Sequence, residues 1–97
     1  MRELMDLYFG QADQLMPGLQ QAIKTGAIDD VDHLSHKLAG SSLACGMSAI
    51  VPSLRRMEIG AKAGHLNGAE VSIAEAVEAL EKLRHAVQEH LRTLQSP

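Results

Sequence analysis

The sequence predicts an all-α fold, an antiparallel up-down-up-down bundle of four helices. Apolar residues recur at spacings of three and four along most of the 97 residues, and no long stretch alternates between apolar and polar residues. The segments between these amphipathic stretches are short, which favours antiparallel packing of consecutive helices. Aliphatic residues and methionine supply the core, because the chain has no tryptophan, one tyrosine and one phenylalanine. A single domain over residues 1–97 is expected from this length.

The first helix is predicted over residues 2–24, where apolar residues follow helical spacing. Gly10 and the pair Pro17 and Gly18 interrupt the pattern, so we expect this helix to be kinked or split into two pieces. Gly26 is predicted to end it, because glycine readily adopts the left-handed conformation that follows a helix.

The second helix is predicted to begin near Asp29 and Asp30, whose carboxylates suit the positive end of a helix dipole and can cap it. Ser41 or Ser42 is expected to turn inward, and Gly46 is predicted to end the helix. The inner stripe of this helix is formed by Val31, Leu34, Leu38 and Cys45.

Ser48 is predicted to cap a third helix over residues 48–63, with Pro52 near its first turn. The inner side of that helix is formed by Ile50, Leu54, Met57 and Ala61. Three charged residues are expected to lie largely elsewhere: Arg55, Arg56 and Glu58.

The fourth helix is predicted to begin between Asn67 and Ser72, after a loop that contains two glycines. The later of these starts would use Ser72 and Glu75 as a capping box. Residues 95–97 are expected to fray.

Composition and charge exclude several classes of function. A net charge of −3 argues against nucleic-acid binding, which favours a basic face. Cys45 is the only cysteine, so no internal disulfide forms and a reducing, cytoplasmic location is expected. No apolar run approaches the roughly 20 residues that cross a bilayer, and the first residues do not resemble a signal peptide. We therefore expect no direct membrane contact, although the chain fits equally well as the cytoplasmic domain of a larger membrane-bound protein.

His36 is the strongest candidate for chemistry. It lies two residues from both Leu34 and Leu38, so on a helix it points to solvent when the leucines point to the core. Histidine rings titrate near pH 6.5, so a substantial fraction is neutral at pH 7 and offers a nucleophilic nitrogen. Gly40, one turn further on, leaves nearly bare backbone beside the ring. Lys37 is the nearest cation in sequence.

The run His36-Lys37-Leu38-Ala39-Gly40-Ser41-Ser42 resembles the signature of histidine-containing phosphotransfer (HPt) domains of two-component phosphorelays. The family pattern has a hydrophobic residue two positions after the histidine, commonly a lysine three positions after it, then glycine and two small residues, and a glycine ten positions after it. Gly46 matches the last of these. The resemblance extends along almost the whole chain, including Gly26 and the segment Leu54-x-x-Met57-Glu58 in the third helix.

The resemblance implies that His36 is the phosphoacceptor. It would take a phosphoryl group from an aspartyl phosphate on one response-regulator receiver domain and pass it to an aspartate of another. The Mg²⁺ ion and most catalytic groups would belong to the receiver, so this chain needs no cofactor. This chain has Ala39 where the family commonly has lysine, and we expect Lys37 to support the phosphate instead. The remaining motif residues are expected to serve docking or packing: His33, Ala39, Gly40, Ser41 and Ser42.

Other functions remain open at this point. The same bundle could be a helical interaction module that binds receiver domains without chemistry. A metal or haem bundle is disfavoured, because the pair His33 and His36 lacks two further ligands for zinc and no Cys-x-x-Cys-His motif occurs. No glycine-rich phosphate loop is present, so the chain is not an ATP-dependent kinase by itself. It fits the HPt part of a hybrid sensor kinase or a separate protein, and we expect a monomer.

Overall fold

Four α-helices and one short 3-10 turn build the fold. The computed structural model describes residues 2–95, which contain no β-strand. The elements in order are α1 (Arg2–Thr25), α2 (Ile28–Ala44), the 3-10 turn Ser48–Ile50, α3 (Val51–Lys62) and α4 (Ala69–Gln95). The predicted all-α four-helix fold is confirmed. Of the three residues predicted to fray, Gln95 is the last residue of α4, whereas Ser96 and Pro97 lie outside the described residues.

Contacts between α1 and α2 show that these helices are antiparallel. Near the start of α1, the Tyr8 hydroxyl lies 2.8 Å from Ser42 Oγ, close to the end of α2. Further along α1, Gly18 lies against the Leu34 side chain, nearer the start of α2. Rising residue numbers on α1 therefore meet falling numbers on α2.

The α2–α3 pair is antiparallel by the same criterion. Asp32 on α2 lies beside Lys62 at the end of α3, whereas His36 on α2 lies beside Glu58, one turn earlier on α3. Helix α4 packs against α3 and also against α1, which closes the bundle. The α2–α3 interface thus carries the histidine that the sequence analysis singled out.

The core is almost entirely aliphatic. Its largest fully buried apolar side chains are Leu19, Leu38, Ile50, Leu54 and Val31. Tyr8 and Phe9 add one aromatic pair, packed edge to face with ring centroids 5.2 Å apart. None of the helices in residues 2–95 is long and apolar enough to span a membrane.

Helix α1 is continuous, so of the two outcomes predicted at Pro17 and Gly18 the split is wrong and the kink stays a prediction. Proline in a helix interior removes one backbone hydrogen bond and strains the preceding turn. Met16 and Leu19, on either side of the pair, are both buried, and their packing holds the two halves in one helix. Gly26 follows α1 with a φ of 74°, as expected for a glycine that ends a helix.

The start of α2 differs from the prediction. Asp29 and Asp30 lie in the first turn rather than at the cap, which is Ala27 without a side-chain hydrogen bond. Ile28 packs against the core, and the Ala27 N–H donates to the Ala22 carbonyl at 2.9 Å, so the chain enters α2 directly from the end of α1. The acidic pair still faces the positive end of the helix dipole.

The predicted serine caps of the last two helices are also wrong. Ser48 begins the 3-10 turn, α3 starts at Val51, and neither start has a side-chain cap. Ser72 is buried within α4, where its backbone N–H donates to the Gly68 carbonyl at 3.0 Å. The observed start of α4 nevertheless falls inside the predicted range. Helix α4 begins at Ala69, whose buried side chain packs in the core.

Candidate functional site

The His36 side chain projects outward from the middle of α2 and is 66% exposed. Leu38 is fully buried and Leu34 is partly buried, so the two leucines anchor the opposite side of the helix in the core. The ring therefore has the exposure that the leucine spacing predicts. It leans toward α3, where it meets a buried carboxylate.

That carboxylate is Glu58, which the sequence analysis placed elsewhere. Its side chain is only 7% exposed, and its Oε2 lies 2.6 Å from His36 Nδ1. The second oxygen, Oε1, accepts a hydrogen bond of 2.7 Å from Arg55 Nη1. Both oxygens of a nearly buried carboxylate are thus occupied by cationic or polar donors, as burial of such a group requires.

The electrostatic environment keeps Glu58 ionised. Burial by itself would raise the pKa of this carboxyl group, but the hydrogen bonds from Arg55 and His36 outweigh it. Together with the nearby positive charge, they hold the pKa of Glu58 below its ordinary value of 4.5. At neutral pH the carboxylate can only accept hydrogen bonds.

The hydrogen bond to Glu58 defines the state of the imidazole ring. Because the carboxylate carries no proton to donate, Nδ1 must carry the hydrogen in the bond that joins His36 to Glu58. In a neutral ring the lone pair then resides on Nε2, on the side away from the carboxylate. Histidines that act as ligands or nucleophiles are commonly oriented in this way by a partner on the other nitrogen.

Lys62, the last residue of α3, brings a second cation to this site. Its Nζ lies 3.2 Å from Asp32 Oδ1 and 3.7 Å from Glu58 Oε2, the same oxygen that His36 contacts. Lys62, Asp32 and His36 line one open surface cavity. It is lined by Asp29, Asp30, Asp32, His33, His36 and Lys62.

The other predicted site residues differ in their surroundings. Lys37 and His33 are exposed, and His33 lines the same cavity as His36. Ala39 is fully buried in the core, so its role in this structure is packing.

Gly40 leaves an open surface one turn beyond His36. A Cβ atom placed on Gly40 would meet nothing within 4 Å, so the fold itself does not require glycine there. Glycine inside a helix costs roughly 0.5–1 kcal/mol relative to alanine. Internal packing therefore does not explain the glycine at this position.

Ser41 and Ser42 tie α2 to α1. Ser41 Oγ donates to Gln11 Oε1 at 2.7 Å. Ser42 is buried and donates to the Leu38 carbonyl at 2.7 Å, so the nearby Tyr8 hydroxyl must donate to Ser42 Oγ. Burial raises the pKa of Tyr8 above 10.0, partly offset by this hydrogen bond, and the phenol stays neutral at physiological pH.

Sequence reasoning missed Glu58, although one signal for it was present. Glu58 lies four residues after Leu54, and residues four apart share a helix face. Since Leu54 was assigned to the inner stripe, a carboxylate at this spacing should have been expected near the core with a cationic or polar partner. The partner itself, 22 residues away on α2, is not visible in the periodicity.

Among the described residues, no group of three or more histidine, cysteine, aspartate or glutamate side chains is arranged to hold a metal ion. His33 and His36 share the cavity beside Lys62.

Comparison with known proteins identifies the family. The family model for the Hpt domain matches residues 3–95, nearly the whole chain, and the chain therefore belongs to the Hpt domain family. No curated protein and no solved structure matches the chain. Hpt domains carry out phosphotransfer in two-component relays and interact with the receiver domains of response regulators.

Proposed function

We propose that His36 is the phosphoacceptor of this Hpt domain and exchanges its phosphoryl group with receiver aspartates. The observation that carries this proposal is the pairing of His36 Nδ1 with Glu58 at 2.6 Å, on a side chain that is otherwise 66% exposed. One nitrogen is thereby fixed as a hydrogen-bond donor, and the other is left free as a nucleophile facing solvent.

The proposed transfer requires no proton movement at the ring. The Nε2 lone pair forms a bond to phosphorus while the bond between phosphorus and the aspartyl oxygen breaks, and the aspartate leaves as a carboxylate with that electron pair. His36 Nδ1 keeps its hydrogen throughout, and the ring gains positive charge. The Glu58 carboxylate, already hydrogen-bonded to Nδ1, stabilises this charge. The reverse step delivers the phosphoryl group to a second receiver.

The phosphoryl group brings close to two negative charges, which nearby cations must offset. Arg55, Lys62 and Lys37 are the candidates on this chain. We expect the Mg²⁺ ion of the reaction to come with the receiver partner.

The surface around His36 suits a partner that binds and then dissociates. Gly40 allows close approach, and Leu43, seven residues after His36 on the same face of α2, is 52% exposed. Ile59, beside Glu58 on α3, is 67% exposed. Two separated apolar side chains with polar groups between them fit the small, partly polar interface of a transient complex.

The test is labelling by a phosphorylated receiver domain. We expect His36→Gln to abolish acid-labile, base-stable phosphate on the protein. His33→Gln should retain it, because that histidine is also exposed on α2 but forms no hydrogen bond to a carboxylate within residues 2–95. Far-UV circular dichroism should show the same helix content in both variants. Labelling that persists in His36→Gln overturns the proposal. Receiver binding without any labelling of the wild-type protein would instead indicate an interaction module.

We also propose that the chain acts as one monomeric domain in the cytoplasm. Cys45 is a free thiol and partly buried, which suits a reducing compartment. Light scattering of the purified protein should give the mass of one chain, 10.4 kDa. A stable dimer would contradict the monomer.

A further inference from the structure

We infer that Lys62 is the cation that supports the phosphoryl group on His36. This inference rests on the proposed function and adds a residue from α3 to it. The family commonly has a lysine three residues after the histidine. In this chain that position is Ala39, whose side chain is fully buried, so the charge must come from elsewhere.

Geometry favours Lys62 over Lys37. His36 leans toward α3, as its 2.6 Å contact with Glu58 shows. Lys37 leaves the helix a further 100° around, is exposed, and forms no ion pair or side-chain hydrogen bond within residues 2–95. Lys62 already lies in the cavity that His36 lines.

Geometry also favours Lys62 over Arg55. Arg55 is bound at 2.7 Å to Glu58 Oε1, the oxygen that does not contact His36, and it does not line the cavity. Its guanidinium therefore holds the carboxylate in place. Lys62 Nζ lies 3.7 Å from Oε2, the oxygen that His36 does contact. This side chain is flexible and 58% exposed, so rotation about its bonds can carry the ammonium from the Nδ1 side of the ring toward a phosphoryl group on Nε2.

Asp32 holds Lys62 in the unphosphorylated domain. Its Oδ1 is buried, makes no hydrogen bond within the described residues, and has Lys62 Nζ as its charge partner at 3.2 Å. A phosphoryl group carries more charge than a carboxylate and attracts the same ammonium more strongly. In the unphosphorylated domain Lys62 is therefore paired with Asp32. When His36 is phosphorylated, the Lys62 ammonium moves to the phosphoryl group.

The experiment uses phosphoramidate, a small phosphoryl donor, so that no receiver is involved. Its P–N bond breaks, ammonia leaves, and the phosphoryl group passes to the imidazole nitrogen. At subsaturating phosphoramidate we expect Lys62→Met to lower the steady-state amount of phosphohistidine about threefold to tenfold, the range for a partly exposed charge pair. Lys62→Arg should restore most of it, because the charge is kept.

Lys82→Met is the matched control. Lys82 also pairs with a glutamate four residues before it, on an exposed part of α4 that lies away from His36. The ³¹P chemical shift of the phosphohistidine should change in Lys62→Met and stay constant in Lys82→Met. A purely structural role of Lys62 would leave that shift unchanged.

The two proposals fail in different ways. If wild-type His36 takes up no phosphate, the proposed function fails and this inference with it. If wild type is labelled and Lys62→Met equals it in both phosphate level and ³¹P shift, only the role of Lys62 is overturned. Loss in Lys37→Met, with Lys62→Met unaffected, would assign the role to Lys37.

Discussion

Glu58 is the residue that orients His36, and its ionisation makes stability depend on pH. The pKa of Glu58 is held below 4.5 in the folded domain, so its interactions stabilise the fold above that pH. The stabilisation is lost as the pH falls through the folded-state pKa. Glu58→Gln lacks this titration.

We therefore expect the free energy of unfolding of wild type to exceed that of Glu58→Gln at pH 7, with the difference shrinking as the pH falls from 4.5 toward about 3. Urea denaturation followed by circular dichroism at a series of pH values measures this. A difference that is equal at pH 7 and pH 3 would show that the charge of Glu58 does not contribute.

We propose that Gly40 lets a partner approach, since the fold does not require glycine at this position. Because open space surrounds it, Gly40→Gln should leave the domain as stable as wild type or stabilise it by up to about 1 kcal/mol. Transfer from a phosphorylated receiver should slow markedly, while uptake from small phosphoramidate should not. Stopped-flow or quench kinetics with both donors measure the contrast. Equal slowing with both donors would argue against the steric explanation.

At the residue scale, the sequence predicts whatever depends on one helix alone. The exposure of His36 follows from its spacing to Leu34 and Leu38. The positions of its partner Glu58 and of Lys62, which lines the same cavity, do not follow, because both lie on another helix and depend on how α2 and α3 align. Periodicity indicates which face of a helix is buried but not which residue of a neighbouring helix lies opposite.

At the scale of elements, α1 tolerates a proline in its interior. Pro17 is exposed and lacks the N–H that would bond the carbonyl of Asp13. Pro17→Ala should restore that hydrogen bond and raise the free energy of unfolding by about 1–3 kcal/mol. Thermal and urea denaturation measure the change. Unchanged or lower stability would mean that a bend at Pro17 is needed for packing.

The helices themselves were predictable, but their first residues were not. Asp29 and Ser72 have the chemistry of capping residues, yet both lie inside their helices. Packing of Ile28 and Ala69 against the core outweighs the roughly 1 kcal/mol that a side-chain cap contributes. Local capping patterns therefore show roughly where a helix begins, but tertiary packing determines which residue is the first of the helix.

At the scale of the whole molecule, stability rests on aliphatic packing among four helices. Leu54 is fully buried in the first half of α3, whereas Ile59 on the same helix is 67% exposed. Leu54→Ala should lower the free energy of unfolding by about 2–5 kcal/mol, and Ile59→Ala by less than about 0.5 kcal/mol. Urea denaturation of both variants tests this. Similar losses in both would contradict the assignment of the core.

The fold class was predictable because the same periodicity recurs four times with short connections. The α2–α3 alignment that joins His36 to Glu58 is a property of the assembled bundle, set by packing of side chains such as Leu38 and Leu54. The sequence therefore predicts the part of the candidate site on α2, His36 and Gly40. The part on α3, including Glu58, is seen only in the assembled bundle.

The most direct test of the central proposal is NMR of the histidine ring in the phosphorylated, ¹⁵N-labelled domain. We expect the ³¹P nucleus to couple to Nε2 of His36, with Nδ1 protonated and hydrogen-bonded to Glu58. Phosphate on Nδ1, or on any residue other than His36, would contradict the proposed orientation and role of this histidine.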